Sequence, residues 1–94
     1  MLSRKMQKEI EKRLYHYNEL DPANATDAKW LEVIDATIRQ PKRWSFYRQW
    51  YKRIDSPVAI AMRLHCDKRT LYRWREELLV EIALKAVYFH LLEP

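Results

Sequence analysis

Apolar residues recur along this chain at steps of three and four, the stripe of a 3.6-residue helix. Met6, Ile10, Leu14 and Tyr17 form the first stripe, in a helix from Ser3 to about Asn18 whose other face mixes Lys and Glu. The stretch NELDPANA is a loop, because Asp21 precedes Pro22 and is pushed out of the helical region. Thr26 is the expected N-cap of a second helix, with Asp27 in its first turn against the helix dipole. Trp30, Leu31, Ile34 and Ile38 carry that helix to about Arg39, and a short loop should make the first two helices an antiparallel pair. Pro41 ends the second helix and opens a third to about Ile54, striped by Trp44, Tyr47, Tyr51 and Ile54 with Phe46 and Trp50 beside them.

Ser56 followed by Pro57 is an N-cap with proline at the first helical position, opening a short fourth helix to about Leu64. Asp67 then caps a fifth, and no breaker follows before Pro94; it is one long helix or two joined near Glu76–Glu77. The pattern predicts an all-α, five-helix domain with a central helix-turn-helix. Its 94 residues are one domain: an N-terminal helical pair (1–40), a helix-turn-helix unit (41–76) and a C-terminal helix (77–94). The C-terminal helix bears two apolar stripes. Leu71, Trp74, Leu78, Ile82, Ala86 and Phe89 form one; Val80, Leu84, Val87 and Leu91 form the other. Either both are buried within the monomer or one is a self-association face. The N-terminal pair offers only narrow stripes to cover them, so a homodimer through this helix is expected.

Composition narrows the function. The chain has no glycine, which excludes Gly-rich phosphate loops and dinucleotide fingerprints. Cys66 is the only cysteine, so no intrachain disulfide can form, in keeping with a reducing cytosol. The basic start has no apolar run behind it, and no segment has the length of uncharged apolar residues that a membrane span needs. His16, His65 and His90 are far apart, and no CxxC or HxxxH spacing suggests zinc. Cys66 is the only candidate nucleophile, and its place fits a packed helix pair. The expectation is a non-enzyme without metal or cofactor.

Charge points to the partner. The formal net charge is +5. Residues 1–40 carry seven basic and seven acidic side chains, while residues 41–76 carry ten basic against three acidic. The basic character therefore belongs to one block, which suggests a polyanion. Within it, the aromatics of the third helix interleave with Lys42, Arg43, Arg48, Lys52 and Arg53. Those rings are read chiefly as core, with stacking on single-stranded nucleic acid as the sharper alternative.

Several spacings fit a helix-turn-helix. His65 sits at the turn, where a left-handed backbone is needed and His is tolerated after Gly, Asn and Asp. Ala61 provides the small residue at the helix crossing, Ile60 and Leu64 point inward, and Leu71 and Trp74 form the buried stripe beyond the turn. The opposite face then carries Lys68, Arg69, Tyr72, Arg73 and Glu76, the set assigned to base readout in a major groove. Arg69 and Arg73 are each suited to a guanine, and Glu76 either accepts from a cytosine amine or pairs with Arg73 or Lys68. Lys42, Arg43, Arg48, Lys52, Arg53, Thr70 and Arg75 are assigned to DNA phosphates, with capping as the other role for Thr70.

The stretch SPVAIAMRLHCDKRTLYRWREELL resembles the DNA-binding fourth region of sigma factors, and more closely the phage late-gene transcriptional regulators of the RinA/ArpU type. Arg69 through Glu77 carries the likeness, together with Ile10 through Tyr17 (IEKRLYHY). The resemblance implies a sigma-like helical fold, transcriptional control from a phage or prophage in the cytoplasm of a bacterial host, and a recognition helix bearing Lys68, Arg69, Tyr72 and Arg73. His65-Cys66-Asp67 departs from it, since relatives usually show Gly-Ile/Val-Ser there. Double-stranded DNA is the expected partner, with RNA polymerase or a sigma factor as a further one. The alternatives are a small terminase subunit that marks DNA for packaging, and an adaptor that docks on polymerase or sigma factor.

Overall fold

The structure is a computed structural model that describes residues 2–53 and 55–93. Ile54 and Pro94, which close the third stripe and the predicted last helix, lie outside the described residues. The described residues form five α-helices and no strand: α1 (Arg4–Tyr15), α2 (Ala25–Ile38), α3 (Pro41–Tyr47), α4 (Pro57–Arg63) and α5 (Lys68–Tyr88). A 3-10 turn over Tyr17–Glu19 follows α1, and a π turn over Arg48–Lys52 extends α3.

Side-chain caps set the helix starts. Ser3 Oγ accepts from the Met6 N–H at 3.1 Å, Ser56 Oγ from the Ala59 N–H at 3.2 Å and Asp67 Oδ1 from the Thr70 N–H at 2.7 Å. The second helix begins earlier than Thr26 predicts. Asn24 is its cap, with Oδ1 accepting from the Asp27 N–H at 3.0 Å. Asp27 in turn accepts from the Asp21 N–H at 3.0 Å, which folds the loop back onto the helix and leaves Thr26 inside the first turn.

α5 is one continuous helix and the centre of the core. Leu71, Leu78, Leu79, Ile82, Ala83 and Ala86 are buried along it. The expected N-terminal pair is corrected here: α1 and α2 each pack chiefly on α5 rather than on each other. Ala83 and Ala86 leave room for close backbone approach. α1 contributes Ile10 and Leu14, and α2 contributes Trp30, Val33, Ile34 and Ile38. Contact between α1 and α2 includes the Arg13 guanidinium 4.3 Å over the Trp30 ring.

The third stripe is also redrawn. Phe46, Tyr47 and Tyr51 are buried, while Trp44 is 43% exposed and stacks on the outside of Tyr47 at 5.7 Å. Adjacent positions are buried because they meet different neighbours, Phe46 beside Trp74 and Leu78 and Tyr47 against Tyr17. The Arg53 N–H donates to the Arg48 carbonyl at 3.0 Å, five residues back. That wider turn shifts the register of the rings after Arg48 away from a uniform 3.6-residue stripe.

Candidate nucleic-acid interface

The corner between α4 and α5 is built on His65, whose φ of 54° lies in the left-handed region. The Cys66 N–H reaches the Ala61 carbonyl at 3.0 Å and the His65 N–H reaches the Met62 carbonyl at 3.3 Å. These two bonds are the Schellman pairing that closes a helix C-terminus. Ile60 and Ala61 are buried at the crossing with α5, and Leu64 and Cys66 are half-buried beside the core. The end of α5 repeats the device. His90 has φ 62°, the Leu91 N–H bonds the Ala86 carbonyl at 2.8 Å and the His90 N–H bonds the Val87 carbonyl at 3.0 Å. In a chain without glycine, histidine fills both left-handed helix ends.

This corner holds the start of α5 outward. Leu71 is fully buried and Trp74 half-buried, so the opposite face is open: Lys68, Arg69, Tyr72, Arg73 and Glu76 are all exposed. Arg69, Tyr72, Arg73 and Glu76 follow i, i+3, i+4 and i+7 spacing, one face of the helix, and Lys68 flanks it. Among the described residues Lys68, Arg69 and Glu76 have no ion-pair partner. Arg73 has only Glu77, at 4.0 Å on a solvent-exposed turn. Thr70 belongs to the cap: its backbone N–H and hydroxyl both bond Asp67 and hold that carboxyl below the usual range.

α3 and the π turn that extends it each touch α5. Lys42 Nζ lies 5.1 Å over the Trp74 ring. Trp50 meets Tyr72 edge-on at 5.7 Å, which fixes the Tyr72 ring next to the exposed face. Sequence periodicity sets Trp50 beside the third stripe, and it does pack half-buried on the core, but periodicity did not reveal the contact with Tyr72.

The phosphate-assigned residues do not form one surface. Arg75 is taken inward: its Nη2 and Nε donate to Glu11 at 2.6 and 3.1 Å, and the Tyr51 hydroxyl donates to the same carboxylate at 2.7 Å. Burial alone would raise the Glu11 pKa, but the bonds from Arg75, Tyr51 and Gln7 bring it below its ordinary value. Burial and that same carboxylate push the Tyr51 phenol strongly upward. Arg43 is paired with Glu81, which also receives Lys85 at 3.4 Å. Lys52 shares a groove with Tyr15, Tyr17, Asn18 and Glu19 at the end of α1. Arg48, Lys52 and Arg53 are exposed and unpaired among the described residues. The cations on the exposed α5 face are Lys68, Arg69 and Arg73, while Lys42 lies over Trp74. No signal in the sequence ties Glu11 to Arg75, since 64 positions separate them.

Among the described residues no three His, Cys, Asp or Glu side chains gather as a metal-ligand set, and no helix is long and apolar enough to cross a membrane. Comparison with known proteins finds no family model, no curated protein and no solved structure that matches the chain.

Proposed function

We propose that this chain is a sequence-specific duplex DNA-binding protein, not an enzyme, that regulates transcription in a phage or prophage. The first two turns of α5 enter the major groove. Arg69 and Arg73 read base edges, Tyr72 and Glu76 border them, and Lys42 and Lys68 meet phosphates. The phage late-gene role rests on the sequence resemblance.

One observation carries the DNA reading. Lys68 and Arg69 occupy the first turn of α5, where no acidic residue accompanies them. Cations at a helix N-terminus oppose the macrodipole, at about 0.3–1 kcal/mol each. Neither has an ion-pair partner among the described residues, and the one acid at this helix end, the N-cap carboxylate of Asp67 beside Arg69 and Arg73, is bonded to the Thr70 N–H. One carboxylate against the exposed Lys68, Arg69 and Arg73 leaves an excess of positive charge on this face, and a polyanion supplies the missing charge. The acidic pair Glu76 and Glu77 closes the basic face along α5, which limits the contact to the first two turns.

Fluorescence anisotropy on duplex DNA tests this. With the two phosphate contacts of Lys42 and Lys68, log K should fall against log salt with a slope of about −1.8. Binding that is absent at low salt, or independent of salt, contradicts the reading.

A further inference from the structure

We infer that Tyr72 packs on the 5-methyl group of a thymine beside the bases that Arg69 and Arg73 read, and that Trp50 is the positioning residue that holds its ring there. The inference rests on the duplex-DNA reading and adds the base that Tyr72 selects. Tyr72 is the one aromatic on the exposed face at the start of α5, and it is 45% exposed. It stands at i+3 from Arg69 and directly before Arg73. The major groove presents hydrogen-bonding atoms and one apolar group, the thymine 5-methyl. The arginines suit the first, and a ring between them suits the second.

An exposed ring ordinarily moves among rotamers, and stilling it on binding costs affinity. Here the ring is stilled in advance. Trp50 meets Tyr72 at 5.7 Å between centroids, with the planes at 76°. Trp50 is itself held by two further partners. Phe46 stacks on it at 5.5 Å with the rings 21° apart, and the Arg75 guanidinium lies 5.6 Å from its ring centroid. Phe46 is buried, and Arg75 is bonded to Glu11 at 2.6 and 3.1 Å. A continuous set of contacts thus runs from the largely buried Glu11 carboxylate to a ring on the proposed DNA face. Trp50 also lies within the π turn of Arg48–Lys52, and wide turns of this kind recur at functional sites.

Deleting the methyl group from the DNA tests this. A duplex is selected from a random-sequence pool, and each of its thymines is replaced in turn by uracil, which lacks only the 5-methyl. In anisotropy titrations, replacing one thymine next to a contacted guanine should weaken binding about fourfold, the worth of one buried methyl group. Tyr72→Ala removes a side chain outside the core and should bind the thymine and uracil duplexes equally, whereas Tyr72→Phe keeps the ring and the discrimination. Trp50→Leu should lose the discrimination and Trp50→Phe should keep it. Trp50→Leu combined with Tyr72→Ala should discriminate no less than Tyr72→Ala alone. A purely structural role for Trp50 would weaken both duplexes alike. In the free protein, nuclear Overhauser contacts should join the Trp50 indole to the Tyr72 ring, a measurement that stands even where Trp50→Leu fails to fold.

A chain that binds no duplex overturns the DNA reading and this inference with it. A chain that selects a duplex but is indifferent to every thymine methyl overturns the inference alone. So does discrimination that survives Tyr72→Ala or a folded Trp50→Leu, or a free protein in which the two rings show no contact.

Discussion

The two ends of α5 use charge in opposite ways. At its start, Lys68 and Arg69 stand exposed, unpaired among the described residues and against the helix dipole. From Arg75 onward every cation on the helix has a carboxylate: Arg75 has Glu11, and Lys85 has Glu81. Both stretches contribute to the same basic composition. Only the first presents charge that a partner could use. Pairing, not the count of Lys and Arg, separates a surface that attracts a polyanion from one that holds the fold together.

The sharpest contrast is between two arginines six residues apart. Arg75→Ala removes the partner of a carboxylate that stays largely buried, so it should lower folding stability by about 3 kcal/mol in urea or thermal unfolding. The same network sets an acid limit. Glu11 has a folded pKa below its ordinary value of 4.5, so its contribution is complete above that value and is lost as pH falls through the lower folded one. Unfolding followed from pH 7 downward should show stability falling below about pH 4.5 in the wild type, with a shallower fall in Glu11→Gln.

Arg69→Ala should leave stability alone and weaken binding to a cognate duplex by about 2 kcal/mol, with relaxed preference at one base pair. If Arg75→Ala, measured where it is folded, proves as selective as Arg69→Ala, the division between the two halves is wrong.

The corner that aims the helix is worth less. His65→Val places a β-branched residue at φ 54° and should cost about 1–2 kcal/mol of stability, whereas His65→Gly relieves the left-handed strain and should be neutral or slightly stabilising. The smallest effect is the most diagnostic. Arg69→Glu gains from the helix dipole but loses the attraction between Arg69 and the Asp67 carboxylate, so it should change folding stability by less than about 1 kcal/mol while abolishing DNA binding. A variant that keeps its stability and loses binding separates function from folding within one residue.

Much of this was legible in the sequence for a physical reason: helix starts and turns are local. Ser56-Pro57, Asp67 and His65 act on backbone groups within a few residues, and each stands where its chemistry placed it. The exposed face of α5 followed from Leu71 and Trp74 by periodicity alone. What escaped was long-range or competitive. Arg75 looked like a phosphate ligand because Glu11 is distant in sequence. Thr26 lost the cap to Asn24, the stronger N-cap residue two positions earlier, and the Asp21–Asp27 bond folds the loop onto that start. His90 was missed because a histidine ends a helix only when it accepts the left-handed conformation, which nothing beside it announces.

On the proposed reading the first two turns of α5 meet duplex DNA while the rest of the surface does not. Amide chemical-shift mapping by NMR during titration with a short duplex tests it most directly. The largest shifts should fall over residues 67–76, with smaller ones near Lys42 and along α4, and none at Lys29, Leu84 or Tyr88. Shifts centred instead on the groove of Tyr15, Tyr17 and Lys52, or spread evenly over every exposed cation, would contradict it.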